Sequence, residues 1–386
     1  MKIKSFKEKT IPIASEIRNA VISFTEMSIS IVVVESDVIR EGKPVVGYGF
    51  NSNGRYAQGG ILRERIIPRL MKASPDDISD QSGENLDPFK CWDVMMRNEK
   101  PGGHGDRSVA VGAVDMAIWD LAAKVERKPL YILLGERFRN GEVDDEVYVY
   151  AAGGYYYPGK NLDGLKDELR SYRDMGFSEF KMKIGGAPLK EDLNRIEAAL
   201  EVAGEGRALA VDANGRYDLK AALECEEAIA QYKLKWYEEP GDPLDYQLNA
   251  EVAETTRTPL ATGENLFSLQ DARNLVRYGG MKPERDFIQI DPVLSYGLAE
   301  YIRILNMLKE YGWSSRRCIP HGGHLLGIQI AAGLGLHGNE AYPGVFVPFG
   351  NFAEGMELKD GKVKPPQCEG IGFELVPDIY SILKAV

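Results

Sequence analysis

The feature that most constrains the fold is a series of short apolar segments that recur about every thirty residues from Val147 onward, with helical segments between them. The strand candidates are "VYVYAAGG", "EFKMKIGG", "ALAVDANG", "KWYEEPGD", "LATGENLF", "DFIQIDPV", "SRRCIPHGG" and "AYPGVFVP". Segments such as "KEDLNRIEAALEVAG" and "GLAEYIRILNMLKEYG" have the pattern of the intervening helices. Seven or eight strand–helix units in a row predict a parallel barrel of the triosephosphate-isomerase type. A doubly wound sheet is the competing architecture, but the first loop, "AAGGYYYPGK", lacks the G-x-G-x-x-G pattern of nucleotide-binding sheets.

The chain on either side of this region has a different texture. Before it, "SISIVVVESDVI" and "KPVVGYGF" are typical of strands, and "RSVAVGAVDMAIWDLAAKVE" is typical of an amphipathic helix. Strands followed by helices predict a separate α+β domain. We therefore expect an α+β domain at 1–140, the barrel at 141–348, and a tail at 349–386 that forms a hairpin and a strand.

Composition excludes several classes of protein. A formal net charge of −11 is unsuited to general nucleic-acid binding, because phosphate contacts need a basic surface. The N-terminus has no apolar signal-peptide core, and no run of eighteen apolar residues could span a membrane. The scattered cysteines have no metal-site or disulfide spacing: Cys91, Cys225, Cys318, Cys368. We expect a cytoplasmic protein with neither a nucleic-acid nor a membrane partner.

Three carboxylates follow consecutive predicted strands at equal intervals. Asp212, Glu238 and Glu264 are each twenty-six residues apart (238 − 212 and 264 − 238). In a parallel barrel the strand ends meet at one face, where ionised carboxylates repel unless a cation lies between them. Oxygen ligands with open positions suit Mg²⁺. Each carboxylate alone could be a surface residue with its own salt bridge, but three at matching positions favour a magnesium site.

Two lysines end the second predicted strand. Lys181 and Lys183 are two residues apart, so a strand directs both toward the same face. Each disfavours protonation of the other, which allows one to lose its proton and act as a base while the other binds an anion. The alternative is a pair of solvated surface lysines.

A histidine and an aspartate end the next strands. His321 lies in "CIPHGGH", and Asp291 ends the neighbouring strand, where it could accept the Nδ1–H of His321 and fix its tautomer. His324, three residues further on, is expected to face the following helix. Asn214, two residues after Asp212, is a candidate substrate ligand.

This set of residues resembles the enolase superfamily, mandelate racemase subgroup, along essentially the whole chain. The resemblance implies a modified (β/α)7β barrel whose mouth is capped by the first domain together with the returning C-terminal tail. It also implies a Mg²⁺ cofactor that stabilises an ene-diolate, Lys183 as base, Lys181 as anion binder and His321 as general acid. Glu340, in "GNEAYPG", matches the carboxylic acid that hydrogen-bonds the substrate carboxylate in this family. Family members are commonly homo-oligomers.

Several segments are similar to those of D-tartrate dehydratases: "SNGRYAQGG", "NEKPGGHGDRS", "AAGGYYYPGK", "KMKIGGAP", "ATGENLFS" and "CIPHGGH". This resemblance implies dehydration of D-tartrate to oxaloacetate, or of another acid sugar or hydroxy-dicarboxylate. The distal carboxylate then needs partners, for which the candidates are Arg55, Lys100, Asn51 and Tyr157, with Arg18 behind them. Racemisation or epimerisation on the same site is the alternative, and a barrel that binds a ligand without catalysis is a more distant one.

Overall fold

The computed structural model describes residues 1–13, 15, 17–51, 58–350 and 352–386. Its first part is a three-stranded antiparallel sheet that packs on helices. The strands are β1 (Ile3–Pro12), β2 (Ser28–Arg40) and β3 (Lys43–Phe50), with β2 in the centre. The helices are α1 (Gln58–Ile61), α2 (Ile67–Lys72), α3 (Pro75–Ile78), α4 (Pro88–Met95), α5 (Asp106–Val125) and α6 (Leu130–Phe138), and a π-helical turn, Leu62–Ile66, joins α1 to α2.

The second part is a curled sheet of parallel strands covered by helices. The strands are β4 (Val147–Gly153), β5 (Phe180–Lys183), β6 (Leu209–Asp212), β7 (Tyr237–Glu238), β8 (Leu260–Thr262), β9 (Phe287–Ile288) and β10 (Asn339–Ala341). The helices between them are α7 (Leu162–Asp174), α8 (Leu189–Ala203), α9 (Leu219–Ile229), α10 (Tyr246–Thr255), α11 (Leu269–Tyr278), α12 (Leu298–Glu310) and α13 (Leu325–Leu334). Short 3₁₀ turns occupy Gly206–Ala208, Ala230–Tyr232 and Ser315–Arg317.

The sheet curls toward closure. Strands β4 to β9 pair in chain order, and β10 pairs with β4 from the other side. A parallel bridge between Ile288 and Cys318 extends the sheet beyond β9, and the N–H of His337 then donates to the carbonyl of Cys318 at 3.0 Å. The predicted barrel, capped by an α+β domain, is confirmed.

Four barrel helices begin at a polar side chain that accepts a hydrogen bond from the backbone N–H three residues further on. These N-caps are Asn161, Asp218, Asp245 and Ser268, which begin α7, α9, α10 and α11. Such caps satisfy one of the N–H groups that a helix start leaves unpaired, and they fix where each loop ends. The loops at the barrel mouth therefore have defined lengths.

Helix α5 differs from its prediction. An amphipathic helix was expected, but nearly every residue from Ser108 to Lys124 is buried, because α5 lies between the cap sheet and the barrel. On one side β3 comes close enough that a Cβ on Gly49 would lie 2.2 Å from the carbonyl oxygen of Ala113. On the barrel side, the Asp115 carboxylate accepts the N–H of Leu298 at the start of α12, at 2.6 Å. Helix α5 thus contacts both the cap sheet and the barrel.

Several other elements differ from the sequence interpretation. The eighth strand is β10, so "AYPGVFVP" contributes only its first residue, Ala341, and then turns away. Strand β1 and helices α7 and α13 were not predicted. Helix α13 is buried along its whole length, so it has no polar face to give a helical period.

The C-terminal tail contacts both parts of the molecule. Strand β11 (Lys362–Val363) pairs antiparallel with β4, so the predicted strand joins the barrel rather than the cap. The return to the cap follows it: the N–H of Ile371 donates to Asp120 at 2.7 Å. A 3₁₀ turn, Phe373–Leu375, then leads into helix α14 (Pro377–Lys384).

Among the residues that the structure describes, no helix combines the length and the apolar character that crossing a bilayer requires.

The close approach of β3 to α5 predicts the effect of a single methyl group. Gly49→Ala should destabilise the protein by roughly 1–3 kcal/mol, because its Cβ would overlap a helix carbonyl that cannot move alone. Gly60→Ala in α1 is the matched control, since among the described residues no atom outside its own helix lies within 4 Å of the added Cβ, and it should change stability by less than about 0.5 kcal/mol. Chemical unfolding curves of both variants measure the difference. Equal midpoints would show that the packing at Gly49 is looser than described.

Candidate functional site

Lysines 181 and 183 both point into the barrel mouth, the end of the barrel where the strands finish. They end β5, and both are almost completely buried, with exposed fractions of 1% and 5%. Lys183 is paired in register with Asp212 on β6, and its Nζ lies 2.5 Å from Asp212 Oδ2. The Nζ of Lys181 lies 2.6 Å from Glu238 Oε1 and 2.7 Å from Glu340 Oε1. The lysines are therefore not surface residues, and each is held by carboxylates.

The three equally spaced carboxylates meet at one point. One carboxylate oxygen from each of Asp212, Glu238 and Glu264 lies within 4.8 Å of the other two, and all three residues are at least nine-tenths buried. Asp212 and Glu238 are paired in register on β6 and β7. Glu264 is not in register with them. It follows the end of β8 by two residues and is reached through Gly263, at a φ of 135°.

Neighbouring side chains orient two of these carboxylates. Trp236 and Gln289 donate to Glu238 Oε2 at 2.8 and 2.9 Å. The backbone and side-chain N–H groups of Asn214 donate to Asp212 at 2.8 and 3.3 Å. Orienting donors of this kind are typical of metal-ligand carboxylates. Buried oxygen ligands at this spacing suit a hard divalent cation.

The pKa values of two neighbouring carboxylates in the barrel mouth, Asp212 and Glu238, are shifted in opposite directions. Burial raises the pKa of Asp212, but Lys183 and Lys181 outweigh it and lower that pKa to about 2. Burial and the charge of Asp212 together raise the pKa of Glu238 to about 8. A site that holds one carboxylate charged and disfavours charge on its neighbour is short of positive charge at the point where a cation would bind.

The electrostatic reasoning about the lysines was wrong in sign. Burial is the largest influence on the pKa of Lys183 and lowers it, as Lys181 also does, but Asp212 together with Tyr155 and Glu264 outweighs both and raises that pKa above the ordinary lysine value. The pKa of Lys181 is also raised, because Glu238 and Glu340 outweigh its burial. Repulsion between the lysines is therefore smaller than their attraction to the carboxylates. The sequence could not predict this, because it does not give the distances between the lysines and the carboxylates.

A fourth carboxylate was missed. Glu239 is buried beside Glu238 with a left-handed backbone, at a φ of 39°. Its two oxygens accept from Asn265 Nδ2 at 3.1 and 3.0 Å, and the same nitrogen lies 3.3 Å from Glu264 Oε1. Burial and the charges of Glu264 and Asp212 raise the pKa of Glu239 well above the ordinary value. The "EEP" segment contains both glutamates, but neighbouring residues of a strand point to opposite faces. The left-handed backbone of Glu239 is what allows both side chains to be buried in the barrel mouth.

The histidine is held from both sides of its ring. Asp291 Oδ2 lies 2.9 Å from His321 Nδ1, and Asp291 Oδ1 accepts the backbone N–H groups of Val293 and Leu294 at 2.7 and 3.0 Å. His321 Nε2 lies 3.2 Å from Glu264 Oε2. Burial alone lowers the pKa of His321, but the nearby carboxylates, led by those of Glu264 and Glu340, outweigh it and raise that pKa to about 9. The surrounding carboxylates therefore favour the protonated form of the imidazole.

The proton-carrying groups line a cavity of about 140 Å³, which we call the mouth cavity. Its barrel wall includes Lys183, Asn214, Glu264 and His321, and also Tyr155, Asn265, Tyr342 and Phe346, which the sequence did not single out. Its outer wall comes from the cap: Asn19, Val21, Ile22 and Phe24. A period-two reading of the strand ends could have found Tyr342, because it follows Glu340 by two residues. No spacing rule points to the cap residues.

The predicted substrate ligands are only partly brought together. Asn214 lines the mouth cavity, and its Oδ1 is buried with no hydrogen-bond partner among the described residues. Asn51 was expected to bind substrate, but its amide bonds to the backbone of Ser28 and Ser30, so it holds the edge of the sheet instead. Lys100 lies exposed, away from the described cavity lining.

The remaining predicted ligands lie elsewhere. Tyr157 and Arg18 line a second cavity of about 440 Å³, which shares only Tyr155 with the described lining of the mouth cavity. Lys160 Nζ lies 4.4 Å from the centre of the Tyr157 ring. Arg55 lies outside the described residues.

Comparison with known proteins agrees with this arrangement. Residues 7–135 match the model of the mandelate racemase / muconate lactonizing enzyme N-terminal domain, and residues 164–379 match the enolase C-terminal domain-like model. The chain belongs to the mandelate racemase / muconate lactonizing enzyme family. This family lies within the enolase superfamily, as the resemblance in the sequence predicted.

Three curated members of the family cover most of the chain. Arabinonate dehydratase of Saccharolobus solfataricus is 29% identical over 84% of this chain and 83% of its own length. L-talarate/galactarate dehydratase of Salmonella typhimurium is 28% identical over 95% of this chain and 86% of its own length. 3,6-Anhydro-alpha-L-galactonate cycloisomerase of Streptomyces coelicolor is 33% identical over 87% and 86%. Both dehydratases and a cycloisomerase are thus similar to this chain.

Solved structures from the family have the same fold. A racemase from Streptomyces coelicolor with bound magnesium superposes with a TM-score of 0.81, at 26% identity over 99% of each chain. L-Talarate/galactarate dehydratase from Salmonella typhimurium, liganded with Mg and L-lyxarohydroxamate, has a TM-score of 0.77 at 26% identity. That comparison covers 95% of this chain and 88% of the other.

A second histidine of the "CIPHGGH" segment predicts an acid-sensitive term in stability. His324 is 2% exposed and packs against the Phe50 ring, and burial lowers its pKa to about 4, with the charge of His321 adding to the effect and that of Asp291 opposing it. His324 therefore stays neutral in the folded protein at pH values where the same histidine in the unfolded chain, with a pKa near 6.5, binds a proton. Stability should fall by up to about 3 kcal/mol as the pH drops from 6.5 to 4.

The difference between wild type and His324→Leu isolates this term. Unfolding curves at pH 7 and pH 5 should show a smaller pH dependence in the variant, whatever its absolute stability. Parallel pH dependences in the two proteins would show that His324 is not the responsible group.

Proposed function

We propose that this protein is a Mg²⁺-dependent acid-sugar dehydratase, with D-tartrate as substrate and oxaloacetate and water as products. The observation that supports this most strongly is the presence of a lysine and an aspartate-oriented histidine in one small cavity beside three clustered carboxylates. The comparisons support it at the level of chemistry, since two curated relatives are dehydratases and two related structures contain magnesium.

The metal ligands would be Asp212, Glu238 and Glu264. Their oxygens fit a hard divalent ion, and the burial of Glu238 beside the charge of Asp212, which raises the pKa of Glu238, favours positive charge at this point. When bound, Mg²⁺ supplies Lewis-acid stabilisation of negative charge on the substrate carboxylate. Asp212 also pairs with Lys183, so a cation that drew on its charge would weaken its hold on the lysine proton and make the neutral amine accessible.

In this mechanism Lys183 takes the first proton. The α-proton of the substrate passes to Lys183 Nζ, and its electron pair moves toward the carboxylate as an ene-diolate. Lys181 is fully buried with Glu238 and Glu340 at 2.6 and 2.7 Å, so its charge is fixed and can stabilise the developing oxyanion. Lys181 and Lys183 thus have different tasks because different carboxylates surround them.

His321 completes the elimination. The electron pair forms the carbon–carbon double bond, the bond to the β-hydroxyl breaks, and His321 Nε2 gives its proton so that water leaves. The enol product then tautomerises to the keto acid. Asp291 keeps Nδ1 protonated and directs Nε2 toward the cavity.

The size of the cavity favours a short substrate. Its volume of about 140 Å³ is less than a third of the roughly 440 Å³ of the second cavity, which favours a four-carbon diacid over a longer one. The unpartnered Oδ1 of Asn214 offers an acceptor for a substrate hydroxyl. Arg55 remains the proposed partner of the distal carboxylate, while Lys100 lies away from the described lining of the cavity.

The assay that tests the proposal measures keto-acid formation. Purified protein with Mg²⁺ should convert D-tartrate to a product that forms a semicarbazone, while L-tartrate, meso-tartrate, galactarate and arabinonate should react more slowly. EDTA should abolish the reaction and excess Mg²⁺ should restore it. Preference for galactarate would contradict the substrate but not the reaction. Exchange of α-protons with D₂O without keto acid from any substrate would indicate a racemase or epimerase instead.

The assigned roles of the two proton carriers can be separated by variants. Lys183→Met should lower turnover by about 10²- to 10⁴-fold because the base is lost, while calorimetry should still detect Mg²⁺ binding. His321→Asn should lose water release but continue to exchange the substrate α-proton with D₂O, because Lys183 is intact. The exposed Lys190, in α8, supplies the control Lys190→Met, which should retain full activity. Wild-type turnover in Lys183→Met would refute its role as base.

A further inference from the structure

Tyr342 occupies a place in the barrel mouth that the rest of the structure makes for it. It follows β10 directly, two residues after Glu340, so the two side chains point the same way. It is 2% exposed. A Cβ at position 323 would lie 2.2 Å from Tyr342 Cδ2, so the ring fits only because residue 323 is glycine. The neighbouring segment is therefore shaped around this ring.

The hydroxyl of Tyr342 lies between two functional groups. It donates to Glu340 Oε2 at 2.8 Å, and its oxygen lies 3.1 Å from His321 Nε2. Because the O–H is given to Glu340, the oxygen presents a lone pair to the imidazole. His321 Nε2–H can then donate to it while Nδ1–H donates to Asp291 at 2.9 Å.

These contacts form a chain across the barrel mouth. It runs from Asp291 through His321, Tyr342 and Glu340 to Lys181, whose Nζ lies 2.7 Å from Glu340 Oε1. The chain links the residue that would release the proton for the leaving group with the residue that would hold the oxyanion. Tyr342 is its only neutral member.

The neutrality of the phenol matters for proton release. Two carboxylate oxygens of described residues also lie near His321 Nε2, those of Glu264 at 3.2 Å and Glu340 at 3.7 Å. A hydrogen bond to a carboxylate is roughly twice as strong as one to a neutral oxygen. A proton held by a neutral phenol is therefore easier to pass to a departing hydroxyl.

We propose that Tyr342 is a positioning residue for the general acid: it holds the Nε2–H of His321 toward the mouth cavity and keeps it from the Glu264 carboxylate. This inference rests on the proposed dehydration. In that step the C–O bond to the β-hydroxyl breaks with its electron pair, the Nε2 proton joins the oxygen, and water leaves. Tyr342 contributes orientation and exchanges no proton with the substrate.

The test is Tyr342→Phe, which removes one oxygen and keeps the ring beside Gly323. Dehydration of D-tartrate should lose kcat by about 10- to 100-fold, as expected for a misplaced catalytic group, with KM changed less than about threefold. Exchange of the substrate α-proton with D₂O should stay within about twofold of wild type, because Lys183 is untouched. A merely structural role would lower dehydration and exchange together.

The matched control is Tyr301→Phe. Tyr301 is 1% exposed, and its hydroxyl is buried without a hydrogen-bond partner among the described residues, so the substitution also removes a buried oxygen. It should leave both rates unchanged. In protein labelled with ¹⁵N-histidine, the Nε2 resonance of His321, assigned with His321→Asn, should move in Tyr342→Phe and stay in Tyr301→Phe.

The outcomes separate this inference from the proposed function. Wild type that dehydrates D-tartrate, with Tyr342→Phe equally fast or with dehydration and exchange reduced equally, overturns the role of Tyr342 alone. Wild type that forms no keto acid from any acid sugar overturns the proposed function and this inference with it. An unmoved Nε2 resonance in Tyr342→Phe contradicts the hydrogen bond directly.

Discussion

The contact between Lys183 and Asp212 is the interaction on which the barrel mouth depends. It joins two adjacent strands in register, and it brings a buried amine to 2.5 Å from a buried carboxylate. Either group alone would be costly to bury, because an unpaired charge loses its hydration and gains nothing in return. Paired, they set the charge of a region that also contains Lys181, Glu238 and Glu340.

This region contains more acidic than basic side chains, and the acidic side chains differ in how strongly their surroundings favour the charged form. The lysines hold Asp212 charged, while burial disfavours charge on Glu238 and Glu239. An arrangement of this kind is unfavourable for stability by itself and favourable for binding a cation, so function and stability make opposite demands here. Helix α5, which packs between the cap sheet and the barrel, is buried along almost its whole length. Its packing contributes stability that offsets the unfavourable charges in the barrel mouth.

Much of the fold and the site could be predicted from sequence, because both depend on periodicity. Strand–helix repetition gave the barrel, and the two-residue period of strands placed Lys181 and Lys183 on one face. The equal spacing of the carboxylates led to the right cluster for a partly mistaken reason. Glu264 is not paired in register with Glu238, and the turn at Gly263 brings it to the cluster. The spacing of residues along the chain does not predict that turn.

What could not be predicted depends on distances between segments far apart in the chain. The sign of the pKa shift of Lys183 depends on a contact with Asp212, and the role of Asn51 depends on two backbone groups of β2. Helix α13 lacked a polar face because the fold buries all of it. In each case tertiary packing decided the outcome, and a local pattern cannot report it.

The two walls of the mouth cavity come from separate stretches of the chain. The barrel wall carries the charged side chains, while the cap wall presents Asn19, Val21, Ile22 and Phe24, none of which is ionisable. Substitutions at these four positions would therefore reshape the cavity without removing a charged group from it. Under the proposed function, selectivity and reactivity are encoded in different parts of one chain, so that a new preference can evolve while the old chemistry is kept.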